Sequence, residues 1–133
     1  MRTVVLDSDA LSRLARMDGS MSVTVHALAK TGQPVVVPTV VLVEVMTGKA
    51  SDAAVFRVVK GFAFHGLDSA TATAAGALRE RAEGLRRKKR DLSVDAVIAQ
   101  IARDLAPSTV ITADVPDLTL LTAGADVVVV PVS

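Results

Sequence analysis

Four acidic residues stand in surroundings where a carboxylate is costly: Asp7, Glu44, Asp95 and Asp114. Asp7 directly follows the β-branched run TVVL, and Asp114 follows VIT with one residue between. Glu44 is the only charge between Gln33 and Met46, and Asp95 lies within LSVDAVIAQIA, where the flanking side chains are small or apolar. A carboxylate removed from water needs a partner, and no Lys or Arg at helical spacing beside these acids supplies one. A divalent cation would neutralise several of them at once. The donors on offer are oxygens alone, because the chain has no cysteine and His26 and His65 lie outside these segments. Such a set favours Mg²⁺ or Mn²⁺ over Zn²⁺, and a site of this kind can activate water and offset the charge of a phosphodiester. Ser8 and Thr112 add hydroxyls, as further ligands or as hydrogen-bond partners of the ligands. Each acid also has a plainer reading. Asp7 could cap a helix, Glu44 and Asp95 could be the solvent-facing positions of amphipathic helices, and Asp114 could be a turn residue. The joint placement carries the argument: two acids at strand ends, two interrupting apolar helices.

The elements that must position them can be read from apolar runs and breakers. Arg2 to Leu6 reads as a strand, followed by a helix opened by Asp7-Ser8-Asp9 and running to about Met17. Gly19-Ser20 breaks it, and a second helix spans about Met21 to Lys30. Pro34 to Val37 is a strand, and Pro38-Thr39 starts the helix that carries Glu44 and ends near Gly48. Ser51-Asp52 caps another helix ending at Gly61, and Phe62 to Leu67 is a weaker strand. Asp68 caps a long Ala-rich helix that runs into a basic cluster. Leu92 to Leu105 is helical, Thr109 to Thr112 a strand, Val115 to Ala123 a short helix closed by Gly124, and Val127 to Val130 the last strand. Strands that are continuous apolar runs, alternating with helices, predict a mainly parallel sheet covered on both faces. Right-handed crossovers then bring every loop that follows a strand to one edge, where ligands bind. Residues 1–133 read as a single domain, with no linker or repeat.

Composition narrows the class. Half of the chain is apolar and its mean hydropathy is +0.45, enough for a core. The longest apolar run, Pro34 to Met46, is broken by Glu44 and too short to span a bilayer. The N-terminal residues lack the uncharged stretch of a secretory signal, so a cytoplasmic protein with no membrane association is expected. Net charge is only +1, yet Arg79, Arg81, Arg86, Arg87, Lys88, Lys89 and Arg90 crowd one segment. With no Trp or Tyr and three Phe, stacking cannot dominate recognition of a nucleic acid; backbone electrostatics would have to serve. The stripe of Val23, Ala27, Leu28, Val55, Val58 and Val59 is expected to be core.

In order, the segments VVLDSDALSRL, VVVPTVVLVEVMTG, RDLSVDAVIAQIA and VITADVPDLTLL are similar to the four acidic motifs of the PIN-domain nucleases. Within that family the chain resembles the VapC toxins of toxin–antitoxin pairs. The resemblance spans nearly the whole chain, and the ordered set is more specific than any one motif. It implies a PIN-like three-layer α/β/α sandwich, a Mg²⁺- or Mn²⁺-dependent endoribonuclease acting on RNA, a VapB-like antitoxin that blocks the site, and a homodimer. Residue by residue it places Asp7, Glu44, Asp95 and Asp114 in the acidic quartet, with Asp7 and Asp95 as direct metal ligands. Ser8 and Thr112 match auxiliary hydroxyls, and Asp117 a more variable acid. Asp9 stands where many members carry Asn or Ser; it could join the site or cap the helix, and the cap is the favoured reading. Pro116 and Leu118 depart from the commoner choices in the last motif.

The basic run Arg86, Arg87, Lys88, Lys89 and Arg90 precedes the helix of Asp95 and is expected to guide RNA phosphates toward the metal. Three other readings compete. Asp7-Ser8-Asp9 resembles the Asp–x–Asp of haloacid dehalogenase phosphohydrolases, although Leu11 replaces their usual Thr or Val. A phosphoacceptor signalling domain needs a Lys after its last strand, and Val127 to Ser133 has none. A catalytically silent PIN-fold binding module would keep the fold without the chemistry.

Overall fold

The computed structural model describes residues 2–17, 19–85 and 91–132. Five strands, β1 (Thr3–Leu6), β2 (Val35–Pro38), β3 (Ala63–His65), β4 (Ser108–Thr112) and β5 (Val127–Pro131), form one sheet in the order β3-β2-β1-β4-β5, with every neighbouring pair parallel. Among the described residues seven helices connect them: α1 (Ser8–Ala15), α2 (Gly19–Lys30), α3 (Thr39–Val45), α4 (Asp52–Val59), α5 (Ser69–Leu85), α6 (Ser93–Asp104) and α7 (Val115–Leu121). The α/β class and the parallel sheet expected from the alternation of elements are both present.

The helices pack as two groups. Helix α1 contacts α2, α3 and α4, while α5, α6 and α7 contact one another. From β1 the chain winds outward through β2 to the β3 edge, then returns across the sheet to β4 and continues to β5. Right-handed crossovers in opposite directions put the two helix groups on opposite faces. Between β1 and β4 the direction of winding reverses. Loops leaving those two strands therefore part company, and a crevice opens at their carboxyl ends.

The sheet interior explains the apolar runs. Val4, Val5 and Leu6 of β1 and Val110 and Ile111 of β4 are fully buried, and all of β2 is buried. Strands covered on both faces have no polar side to show, so they do not alternate. Against them pack Ala10, Leu11 and Leu14 of α1 and Ala96, Ile98, Ala99, Ile101 and Ala102 of α6. Leu11 is completely enclosed. Leu11→Ala is expected to cost about 2–5 kcal/mol, from lost transfer energy and the cavity left behind, read as a lower urea midpoint at unchanged m-value.

Several boundaries move. Helix α1 stops at Ala15, and Met17 beyond it takes φ +61. Gly19 and Ser20 start α2 rather than break the chain, α3 ends at Val45 rather than near Gly48, and β3 has three residues. The predicted apolar stripe divides. Val55 and Val59 are buried as expected, but Val23 is 70% exposed and Ala27 is open to solvent. α2 turns Met21 and Val25 inward instead, which sets its buried face away from the expected one. No helix among the described residues is long and apolar enough to cross a membrane.

Candidate metal centre

Asp7 is where the crevice begins. Its amide donates to the Ile111 carbonyl at 3.2 Å, so the pairing of β1 with β4 reaches the acid itself. The carboxylate then does two things. Oδ1 accepts from the Ala10 amide at 2.9 Å, which makes Asp7 the N-cap of α1. Oδ2 accepts from the Ala113 amide at 3.2 Å, across the β1–β4 junction. Thr112 donates its hydroxyl to the same carboxylate and accepts from the Asp114 amide at 2.9 Å. The last residue of β4 thus ties the Asp7 side chain to the backbone of Asp114. Asp7 is 4% exposed, and that burial pushes its carboxyl above the ordinary value. Hydrogen bonds from Thr112, Ala10 and Ala113 pull the other way, and the charge of Asp9 adds to the upward push.

A cleft of about 140 Å³ at this edge is lined by Asp7, Ser8, Asp9, Glu44, Asp95, Ile98 and Asp114. The structure therefore brings all four predicted acids to one cavity from four elements: the end of β1, α3, α6 and the loop after β4. Their environments differ. Only Asp7 is buried, Asp95 and Asp114 are half-buried, and Glu44 is exposed. The expectation that all four sit in apolar interiors holds for one of them. Glu44 is at once a solvent-facing helical residue and a cleft residue, and the Ser8 hydroxyl donates to its Oε1. Asp95, in the first turn of α6, faces the cleft beside Ile98, one turn further along the same helix.

Asp9 is a correction. The cap of α1 is Asp7, and Asp9 lies in the first turn, where it lines the cleft and pairs with Arg13 at 2.9 Å, one turn along the same helix. Asp117, in the first turn of α7, is not among the residues lining the cleft. The basic run Arg86 to Arg90 lies outside the described residues.

The cleft suits a hard divalent cation by its chemistry. Five carboxylates and the Ser8 hydroxyl line it, with no basic side chain among the described lining residues. Among the described residues, no group of three or more His, Asp or Glu side chains is arranged to hold an ion by itself. Mg²⁺ commonly takes one or two protein carboxylates and keeps several waters, so two of the cleft's carboxylates, such as Asp7 and Asp95, would suffice to hold one.

One residue escaped the sequence reading. Asp52, expected only to help cap a helix, turns its carboxylate back to the segment that follows α3. It accepts from the Thr47 amide at 3.0 and 3.1 Å, the Thr47 hydroxyl at 2.8 Å and the Gly48 amide at 2.8 Å. The Thr47 hydroxyl holds the Asp52 carboxyl below its ordinary value, and the Thr47 and Gly48 amides act in the same direction against partial desolvation. The Thr47-Gly48 pair shortly before an acid at a helix start was the available signal.

No family model matches the chain, and no curated protein matches it. Solved structures do. VapBC2 from Rickettsia felis, bound to a DNA fragment from its promoter, contains a chain that superposes with a TM-score of 0.75 at 14% identity, over 97% of this chain and 98% of that one. FitAB bound to the IR36 DNA fragment gives 0.70 at 17% identity over 98% and 95%. FitAcB from Neisseria gonorrhoeae gives 0.70 at 17% over 96% and 96%. Likeness at such low identity speaks for the backbone arrangement alone, and on that ground the chain has a PIN-like α/β fold shared end to end with these complexes' matching chains.

Proposed function

We propose that the chain is a Mg²⁺- or Mn²⁺-dependent endoribonuclease, the toxin of a toxin–antitoxin pair. The observation that carries the reading is the cleft at the β1–β4 reversal, lined by Asp7, Glu44, Asp95 and Asp114. Order and identity of the four motifs, and the shared fold with VapBC2 and FitAB, support it. In this reading the chain works in the cytoplasm as a homodimer, bound and silenced by a VapB-like antitoxin.

Asp7 and Asp95 would hold the cation, which supplies Lewis-acid chemistry when bound. Asp7 suits this task because three donors fix its carboxylate: the Ala10 and Ala113 amides and the Thr112 hydroxyl. Its ligand geometry is set before any ion arrives. Glu44, steadied by Ser8, and Asp114, whose amide is held by Thr112, orient the attacking water and accept its proton. Water oxygen bonds to phosphorus as the bond from phosphorus to the 3′ oxygen breaks, and the departing oxygen takes a proton from solvent, leaving a 3′ hydroxyl and a 5′ phosphate. Arg86, Arg87, Lys88, Lys89 and Arg90, immediately before α6, bring RNA phosphates to the cleft.

Purified chain incubated with RNA and Mn²⁺ or Mg²⁺ is expected to generate internal cuts whose downstream fragments carry 5′ phosphates, mapped by sequencing of RNA ends. Replacing residues 86–90 by alanine should weaken RNA binding and flatten its salt dependence, by about 0.7 in the logarithmic slope for each phosphate no longer neutralised. A covalent aspartyl phosphate formed from a phosphomonoester, with intact RNA, would favour the dehalogenase-type chemistry instead. Cation binding with neither product would leave a silent binding module.

A further inference from the structure

We propose that Asp52 is a positioning residue for Glu44, acting as a clasp that fixes the C-terminal end of α3. The inference rests on the reading that Glu44 belongs to the reactive cleft.

Helix α3 is a poor anchor for a residue that must be accurately placed. It has seven residues, a length at which an isolated helix does not hold itself together. Val41 is its one fully buried side chain; Val40, Leu42 and Val45 are only partly buried against the core, and Val43 is 81% exposed. At its start, Pro38 has no side chain able to cap the helix, so α3 is held there by its continuity with β2. Glu44 sits at the other end, in the last turn. Immediately beyond, the Met46 amide closes the helix on the Leu42 carbonyl at 2.9 Å, and the next two residues are those that Asp52 grips.

The grip is strong for its size. One carboxylate receives two amides and a hydroxyl from Thr47 and Gly48, and the bend it closes takes Gly48 to φ +76, a region that a side chain strains. Asp52 is itself fixed, because α4 buries Val55 and Val59 and packs against α1. Helix α1 begins at Ser8, whose hydroxyl reaches Glu44. The interactions close a ring: Asp7 caps α1, α1 seats α4, Asp52 of α4 holds Thr47 and Gly48, these fix the end of α3, and Glu44 returns to Ser8. Misplacing a reacting group by about 1 Å costs on the order of a hundredfold in rate, so a clasp at this point acts on turnover and not only on folding.

Asp52→Ala removes every one of these hydrogen bonds, whereas Asp52→Asn keeps a carbonyl oxygen for Thr47 and loses the acceptor facing Gly48. At a temperature where every variant is folded by circular dichroism, kcat is expected to fall at least tenfold in Asp52→Ala, with KM within twofold, and to lie between wild type and Ala in Asp52→Asn. Val25→Ala, which trims a buried side chain of α2, serves as a destabilised control and should retain wild-type kcat. The second readout is hydrogen exchange at the Met46 amide, whose acceptor lies within α3. It should quicken at least tenfold in Asp52→Ala, with amides of β4 unchanged. Unchanged Met46 exchange, wild-type kcat in Asp52→Ala, or an equal fall of kcat in Val25→Ala would each overturn the proposal. A wild-type chain without cation-dependent cleavage would remove the reading of the cleft and leave Met46 exchange to decide the clasp alone.

Discussion

Asp7→Asn is expected to lower RNA cleavage at least a hundredfold while changing stability by no more than about 2 kcal/mol. The two effects separate because Asp7 has two tasks. As N-cap of α1 it needs an oxygen for the Ala10 amide, and Asn supplies one as well as Asp does. As a ligand it needs negative charge on an oxygen facing the cleft, which an amide lacks. Two opposing changes keep the stability effect small. Asn places an NH₂ where Oδ2 accepts from the Ala113 amide, and a hydrogen bond to a charged group is worth about 1.5–3 kcal/mol. Against that, a charge that burial and Asp9 both disfavour is gone. Cleavage rates and thermal melts on one preparation test both halves. Undiminished cleavage would remove Asp7 from the chemistry, and an unfolded variant would show that its structural task dominates.

Removal of divalent cations carries the second large effect. Five carboxylates share one small cleft, and Asp9 is paired with Arg13. A bound divalent cation would offset the negative charge gathered in a space partly closed to water. We expect cleavage in EDTA to fall at least a hundredfold and to return with excess Mn²⁺ or Mg²⁺. Binding to the folded chain alone must also stabilise it, by about 1.4 kcal/mol at ten times the dissociation constant. For a chain of this size that is a rise in melting temperature of about 4–8 °C. The shift should disappear in Asp7→Asn, which ties the thermal effect to the same cleft. Full activity in chelator, or a shift that survives that substitution, would separate the acids from any ion.

The sequence is informative where chemistry and burial conflict. TVVL followed by Asp7, and VIT followed by Asp114, announce acids at the ends of buried strands, and both lie at the β1–β4 reversal. Alternation of elements implies a parallel sheet, but the order of its strands depends on where the chain crosses back after β3, which no local pattern records. Asp9 reads as the cap because small polar residues at a helix start are interchangeable by type. β1 ends at Leu6 as expected, and the first of the two acids, Asp7, takes the role. Spacing alone places Val23 in the core, although Met21 and Val25 satisfy the same period and are the ones buried. Glu44 reads as a choice between surface and site, yet a cleft wall is both. Asp52 leaves only the faint signal of Thr47-Gly48 before it, for a different reason: its partners lie on the N-terminal side of its helix, in a segment whose shape exists only once α3 and α4 are seated.

The span between Asp7 and the amide of Ala113, 106 residues apart in sequence, has a consequence during synthesis. β1 emerges from the ribosome well before its partner β4 and the loop bearing Asp114. Chains grow at roughly 5–20 residues per second, so for several seconds the nascent polypeptide holds Asp7 and Glu44 without their counterparts. On the proposed function, a chain made only as far as α3 would lack half of its acids and would leave the transcript being read uncut.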